Sequence, residues 1–305
     1  MIDRASGTSG LVLVSSMASS GGSAVLSYLK THQGVFLPAG SEPKVLQGVL
    51  RLYRWRREGA RIKRSAIEDA IGQAFGSPTV ESGDLYVKKR EKFLKSIGRS
   101  WDEWLPVARM INAGIDEITA SRSSRGEEAK SRVLMRCEKR LSEAIRAFES
   151  LVQRQNEAVL LDNLYRFDKD ALGWTRKFRS ARLIGVHRDP RDHLAERRRR
   201  GSRISAENFV KRYMDSVGDM ELPRDAVRQA GGDAVYVPFE SFALSLAVRQ
   251  EVARFAGILE PYQSSPDFSE SRAFDSLGIW KSWLTSKEVE VIERSLEGYF
   301  RASVN

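Results

Sequence analysis

Two stretches of this chain carry residue types and spacings suited to chemistry. The first is Ser19-Ser20-Gly21-Gly22-Ser23-Ala24. Glycines let a backbone turn sharply and approach a ligand, and serine hydroxyls donate hydrogen bonds. The second is His187-Arg188-Asp189-Pro190-Arg191-Asp192-His193. An arginine offers a planar fork that grips two oxygens of a phosphate, which a lysine point charge does not. Both stretches point to anion binding.

The elements that must position them are legible on either side. Leu11 to Ser16 is a short apolar, β-branched run, and Ala24 to His32 places Val25, Leu26 and Leu29 on one helical face. Gln33 to Pro38 then reads as a turn and a short strand. Strand, tight loop and helix aim the first free N–H groups of the helix, at the positive end of its dipole, toward an anion. The alternative is a plain strand-to-helix corner of an α/β protein. A nucleoside-triphosphate loop requires G-x-x-x-x-G-K-[ST], and no lysine follows Gly21 and Gly22, which argues against an ordinary ATPase or GTPase.

Buried-strand patterns return at Ala158-Val159-Leu160-Leu161 and at Ala181 to Val186, and a later one at Ala234 to Pro238. Continuous apolar runs separated by helical lengths predict a parallel sheet with both faces covered. Pro190 ends the second run and turns the chain into a helix, leaving Arg188 at the carboxyl edge of the sheet, where ligands of open α/β sheets sit. The competing reading of Arg188 is a strand-edge arginine in a surface ion pair.

Together these stretches resemble the sulfotransferases. That family has a strand, Pro-Lys/Arg-Ser-Gly-Thr-Thr and a helix for the 5'-phosphosulfate, aligned here on Ser20-Gly21, so that Ser19 stands at its basic position. Its Arg-Asn-Pro-x-Asp/Glu-Arg segment matches Arg188, Pro190 and Asp192, with Asp189 in place of asparagine. Eight positions after the arginine the family has a serine for the 3'-phosphate, and here Glu196 follows instead. A carboxylate there repels phosphate unless arginines neutralise it or it faces away, and the run Arg197 to Arg200 offers such neutralisation. The same run also reads as an anion clamp on the rim or as a solvated helix end.

Two looser matches follow in family order. Phe239-Glu240-Ser241-Phe242 resembles the late Tyr-Glu-Asp-Leu segment, and Gly278-Ile279-Trp280-Lys281 resembles Gly-Arg-Trp-Lys. The resemblance implies that Trp280 and Lys281 close over the nucleotide. Thr285 or Ser286 is expected to cap the last helix, with Glu288 in its first turn. Ser41-Glu42-Pro43, with Lys44 next, stands where the family has a Lys-Glu-Pro-like segment at the acceptor pocket. By that likeness Glu42 is the base, because an alcohol is a poor nucleophile until a carboxylate takes its proton. A solvated loop carboxylate is its alternative. Lys44 and Lys281 are the candidate cations to replace the one missing at Ser19.

The totals fit this picture. The 305 residues suffice for one large α/β domain, and 50 Lys+Arg against 40 Asp+Glu leave a formal charge of +10, which favours anionic partners. A single cysteine, Cys137, excludes an internal disulfide framework and a cysteine-rich metal site, and His32, His187 and His193 are too scattered for zinc; no metal is expected. No apolar run approaches a membrane span and no signal peptide opens the chain, so a cytoplasmic protein is expected. Residues 48–157 show helical periodicity, as in Leu141, Ile145, Phe148, Leu151 and Val152, with basic runs such as Arg51 to Arg57 around Tyr53 and Trp55.

The expected architecture is therefore α/β: a parallel sheet wrapped by helices, a P-loop-like sulfotransferase fold over residues 1–305, with 48–157 a largely helical insertion on the acceptor side. The resemblance implies transfer of a sulfuryl group from 3'-phosphoadenosine 5'-phosphosulfate to a hydroxyl or amine of a glycan or small molecule. It assigns Ser19, Ser20, Gly21, Gly22, Ser23, Ala24, Arg188, Glu196, Trp280 and Lys281 to the nucleotide, and Glu42 and Lys44 to catalysis. The alternative is a non-catalytic member of the same fold that binds a nucleotide or an anionic partner. A third reading uses the central basic helices on a nucleic acid or anionic surface, although nucleic acid is not the expected partner. Nothing in the sequence specifies an oligomeric state.

Overall fold

The structure, a computed structural model, describes residues 10–38, 91–120, 126–154, 157–162, 177–217, 222–223, 227–229, 233–258 and 268–301. Glu42 and Lys44 lie outside the described residues, as does the basic run at 51–57. The chain divides into two compact units, one of Met1–Phe36, Arg154–Arg176 and Ala181–Asn305, the other of Leu37–Gln153 and Lys177–Ser180.

The first unit is α/β, built on a mostly parallel six-stranded sheet. Its strands are β1 (Gly10–Ser16), β2 (Val35–Phe36), β3 (Ala158–Asp162), β4 (Ala181–His187), β5 (Arg228–Gln229) and β6 (Ala234–Pro238), in the order β2-β3-β1-β4-β6-β5. Among these described strands the β5–β6 pairing is antiparallel and the others are parallel. Leu11 to Val14 are all buried, as are Ala158 to Leu161 and Ala234 to Val237, because helices leave neither face of a parallel sheet in water. Five of these strands form where the sequence pattern predicts them. The two-residue β5 is exposed and had no apolar signal.

Central β1 lies between β3 and β4. The chain thus reverses its strand order at β1, and the carboxyl ends of β1 and β4 flank the crevice of an open α/β sheet. Helix α1 (Gly22–Leu29) follows β1 and buries Val25, Leu26, Tyr28 and Leu29, the face its periodicity predicts.

Two further helices, α2 (Trp101–Ala120) and α3 (Glu127–Val152), belong to the second unit. Gly114 meets Leu141, Arg136 pairs with Glu117, and Trp104 packs edge-on against Phe148. Rising numbers on one helix match falling numbers on the other, so the pair is an antiparallel hairpin. Buried Glu149 accepts the N–H groups of Arg179 and Ser180, both at 2.8 Å, which holds 177–180 in this unit.

After β4 come α4 (Pro190–Arg199) and α5 (Ala206–Val217). After β6 come α6 (Phe239–Leu244), α7 (Leu246–Phe255), α8 (Glu270–Phe274), α9 (Trp280–Trp283), α10 (Ser286–Ser295) and α11 (Glu297–Arg301). Leu194, Phe209, Tyr213, Tyr236, Ile292 and Leu296 form one cluster joining α4, α5 and α10 to β6. Pro190 sits at the first helical position, where its missing N–H costs nothing, and Asp189 caps the helix by accepting from Arg191 N at 2.8 Å. Thr285 caps α10 in a reciprocal box with Glu288. Of the two expected caps, Thr285 takes the role, although the helix it opens is followed by the short α11 and is not the last. Among the described residues no helix is long and apolar enough to cross a membrane.

Candidate functional site

The loop from Met17 to Gly21 links β1 to α1 through two left-handed residues, Ser19 at φ 74° and Gly21 at φ 97°. Its turn is closed by Ser20, whose N–H lies 3.0 Å and whose hydroxyl lies 2.7 Å from Met17 O. Ser20 Oγ is also 3.3 Å from Val186 O at the end of β4, which ties the loop to the neighbouring strand. Among the described residues no side chain caps α1. The Gly21 carbonyl accepts from Ala24 N and Val25 N, so the amides of Gly22 and Ser23 come before the first hydrogen bond inside the helix.

Both glycines are required by space. A Cβ on Gly21 collides with the Phe239 ring, and one on Gly22 collides with Ser16 Oγ. A Gly21→Ala variant should therefore lose about 2 kcal/mol from the left-handed backbone and the displaced ring together. Urea unfolding of the variant beside Gly298→Ala, where a Cβ meets open space, measures this loss. Equal midpoints for the two would refute it.

Arg188 stands one residue past β4, 3% exposed. Its Nη1 donates to Ser19 O at 3.4 Å and its Nη2 to Ser276 O, while the guanidinium lies 5.2 Å from the centroid of the Phe239 ring that packs on Gly21. Burial pulls its pKa down, and the carboxylates of Asp192, Glu240 and Glu196 counter that. Nε is buried without a partner among the described residues. The sheet thus brings together Ser19, Ser20, Gly21 and Arg188 in one place. The surface-pair alternative for Arg188 does not fit a buried side chain held by carbonyls.

Glu196 is buried on α4 and faces arginines: Arg200 Nε at 2.7 Å and Arg199 Nη2 at 2.8 Å. Burial raises its pKa, but hydrogen bonds from Arg200 and Arg199 more than offset this, and the carboxyl is held below its ordinary value. Arg198 pairs with Glu288 at 2.7 Å. Three arginines of the 197–200 run thus pair with carboxylates, and Arg199 and Arg200 supply the neutralisation of Glu196. The i+3 and i+4 spacing of Arg199 and Arg200 from Glu196 carries the signal for those two pairs in the sequence.

Trp280 is half-buried; its N–H and that of Gly278 donate to Asp192, at 3.1 and 2.7 Å. Arg191 lies over the Trp280 ring at 4.6 Å. Lys281 is exposed, its Nζ 5.9 Å from the same ring. Asp192 thus anchors the 278–280 segment, while Arg188 holds Ser276 just before it. Burial raises the Asp192 pKa against these two N–H donors.

Three functional neighbours were not singled out from sequence: Asp192 as this anchor, His193, and Glu240. Glu240 accepts from Asp189 N at 2.8 Å, and burial pushes its pKa up to about 7. His193 Nε2 lies 2.6 Å from Ala18 O. Their partners are far away along the chain, so no local spacing marks them.

No family model matches this chain, and no curated protein matches it. Among solved structures it is similar to the sulfotransferase domain from the Synechococcus PCC 7002 olefin synthase, at 14% identity and a TM-score of 0.38, with 96% of each chain covered.

Proposed function

We propose that this protein moves a sulfuryl group from 3'-phosphoadenosine 5'-phosphosulfate to a hydroxyl or amine of a glycan or small molecule. The observation that carries this reading is the convergence of the Ser19–Ser20 loop and Arg188 at the carboxyl ends of β1 and β4. An uncapped helix start fits the 5' side of the nucleotide, and a buried guanidinium with a spare Nε fits the 3' side. The 3'-phosphate would take over the donor that Ser276 O now holds.

In the transfer an acceptor oxygen or nitrogen attacks sulfur. The bond from sulfur to the 5'-phosphate oxygen breaks, and its electron pair leaves with the 3',5'-bisphosphate. Glu42 is the proposed base for the acceptor proton. Ser19 supplies no positive charge to the bridging oxygen, so the α1 amides, with Lys44 or Lys281, must carry that stabilisation. Losing one such donor costs roughly a hundredfold in rate, so turnover is expected to be slow for this chemistry.

A second reading, nucleotide or anion binding without transfer, is favoured by the same serine, which leaves the bridging oxygen without the cation that transfer leans on. Saturation with 3'-phosphoadenosine 5'-phosphate separates the readings from their rivals. At a hundredfold excess over Kd it should raise Tm by about 5 °C. No rise at millimolar nucleotide would sink both. Transfer of labelled sulfate to a panel of glycans, phenols and amines then distinguishes enzyme from binder.

A further inference from the structure

A trans peptide group is planar, so the direction of one carbonyl fixes the direction of the next residue's N–H. An anion cradle needs its carbonyls turned away from the ligand and its amides toward it. Three consecutive carbonyls of the loop are each taken by a donor. Met17 O takes Ser20 from within the turn, Ser19 O takes Arg188, and Ala18 O takes the His193 ring at 2.6 Å. The peptide that His193 grips is the one whose N–H belongs to Ser19.

A carbonyl only accepts, so the ring donates through Nε2, and its tautomer is set by Ala18. Nδ1 is then a buried acceptor without a partner among the described residues. The ring is wedged edge-on against Phe209, with centroids 5.1 Å apart, and against Tyr213 at 6.3 Å. Burial pushes its pKa down to about 3, so it stays neutral and keeps the same tautomer throughout the physiological range. Ser19 itself holds a left-handed backbone that a side chain rarely adopts, and such a conformation persists only where its surroundings fix it. Ala18 O and Ser19 O, held from α4 and from the end of β4, fix it on both sides.

We propose that His193 is a positioning residue of the donor site: by holding the Ala18 carbonyl it turns the Ser19 amide toward the bound anion. The inference rests on the loop being that donor site. It assigns to His193 the 5' side of the nucleotide alone, because the 3' side falls to Arg188.

His193→Leu removes the donor, whereas His193→Gln restores an N–H at similar reach. Calorimetric affinities for 3'-phosphoadenosine 5'-phosphate and for adenosine 3'-monophosphate test the assignment. The leucine variant should bind the bisphosphate about tenfold more weakly and the monophosphate unchanged, with most of the loss recovered by glutamine. Equal weakening of both ligands, or of neither, overturns the proposal. Should the leucine variant fail to fold, or the wild type bind neither nucleotide, inorganic phosphate titrated into 15N-labelled wild type decides. The Ser19 amide and the His193 Nε2–H resonance should then shift together, and a Ser19 amide that does not move overturns the proposal. Nucleotide failure with this phosphate response intact would retire the sulfuryl-donor reading while leaving the role of His193 standing.

Discussion

An Arg188→Met variant should lose about 3–5 kcal/mol of stability at pH 7 and all measurable binding of 3'-phosphoadenosine 5'-phosphate. Methionine keeps much of the volume, so the loss is not that of a cavity. It arises because the buried guanidinium sits among the carboxylates of Asp192, Glu240 and Glu196 and donates to Ser19 O and Ser276 O. Removing it strands buried negative charge and frees two carbonyls at once. Arg188→Lys keeps the charge but gives up the fork, so its loss should be intermediate. Urea titrations of the three proteins, paired with calorimetry, check this. A midpoint for the methionine variant within error of the wild type would mean that the charge cluster does not hold the loop.

The second large effect is a pH dependence centred on Glu240. Burial raises its carboxyl from 4.5 to about 7, which the Asp189 N–H and Arg188 only partly oppose. Below pH 4.5 the folded and unfolded chains both carry the proton, and the site imposes no penalty. As pH climbs toward 7 the unfolded chain releases its proton first, so the stability present at low pH is progressively lost, and the loss is complete above about 7. The difference in proton affinity corresponds to about 3 kcal/mol. Glu240→Gln keeps an oxygen to accept from Asp189 N while removing the titration. The wild type should therefore lose stability relative to this variant between pH 5 and 8. Parallel stability curves for the two over that range would contradict the assignment.

The two effects are coupled through one cluster. With Glu240 protonated, Arg188 keeps Asp192 and Glu196 as its nearby negative groups, so its hold on Ser19 O does not depend on Glu240 alone. The double variant should accordingly deviate from additivity.

Several features were legible because a local rule fixes them. The runs at β1, β3, β4 and β6 read as strands because burial on both faces leaves no polar alternation. Thr285 and Glu288, three apart, satisfy each other's backbone donors without help from elsewhere. The pairing of Glu196 with Arg199 and Arg200 is equally local and could have been placed by helical spacing. Strand β5, at Arg228–Gln229, left no trace because an exposed two-residue edge exists only through its pairing with β6.

By itself the chain's order of residues determined strands β1, β3, β4 and β6, the loop that opens α1 and the arginine that ends β4, since each follows from periodicity, turn chemistry or a neighbour within a few positions. Only the tertiary structure decided that Arg188 spans Ser19 and Ser276, that Asp192 grips Gly278 and Trp280, and that His193 grips Ala18. Those partners lie far apart along the chain, and parallel pairing of β1 with β4 is what sets Ala18 and Ser19 beside His193 and Arg188. Hydrogen bonds of that kind depend on where two strand ends meet in space, a quantity that no local pattern encodes.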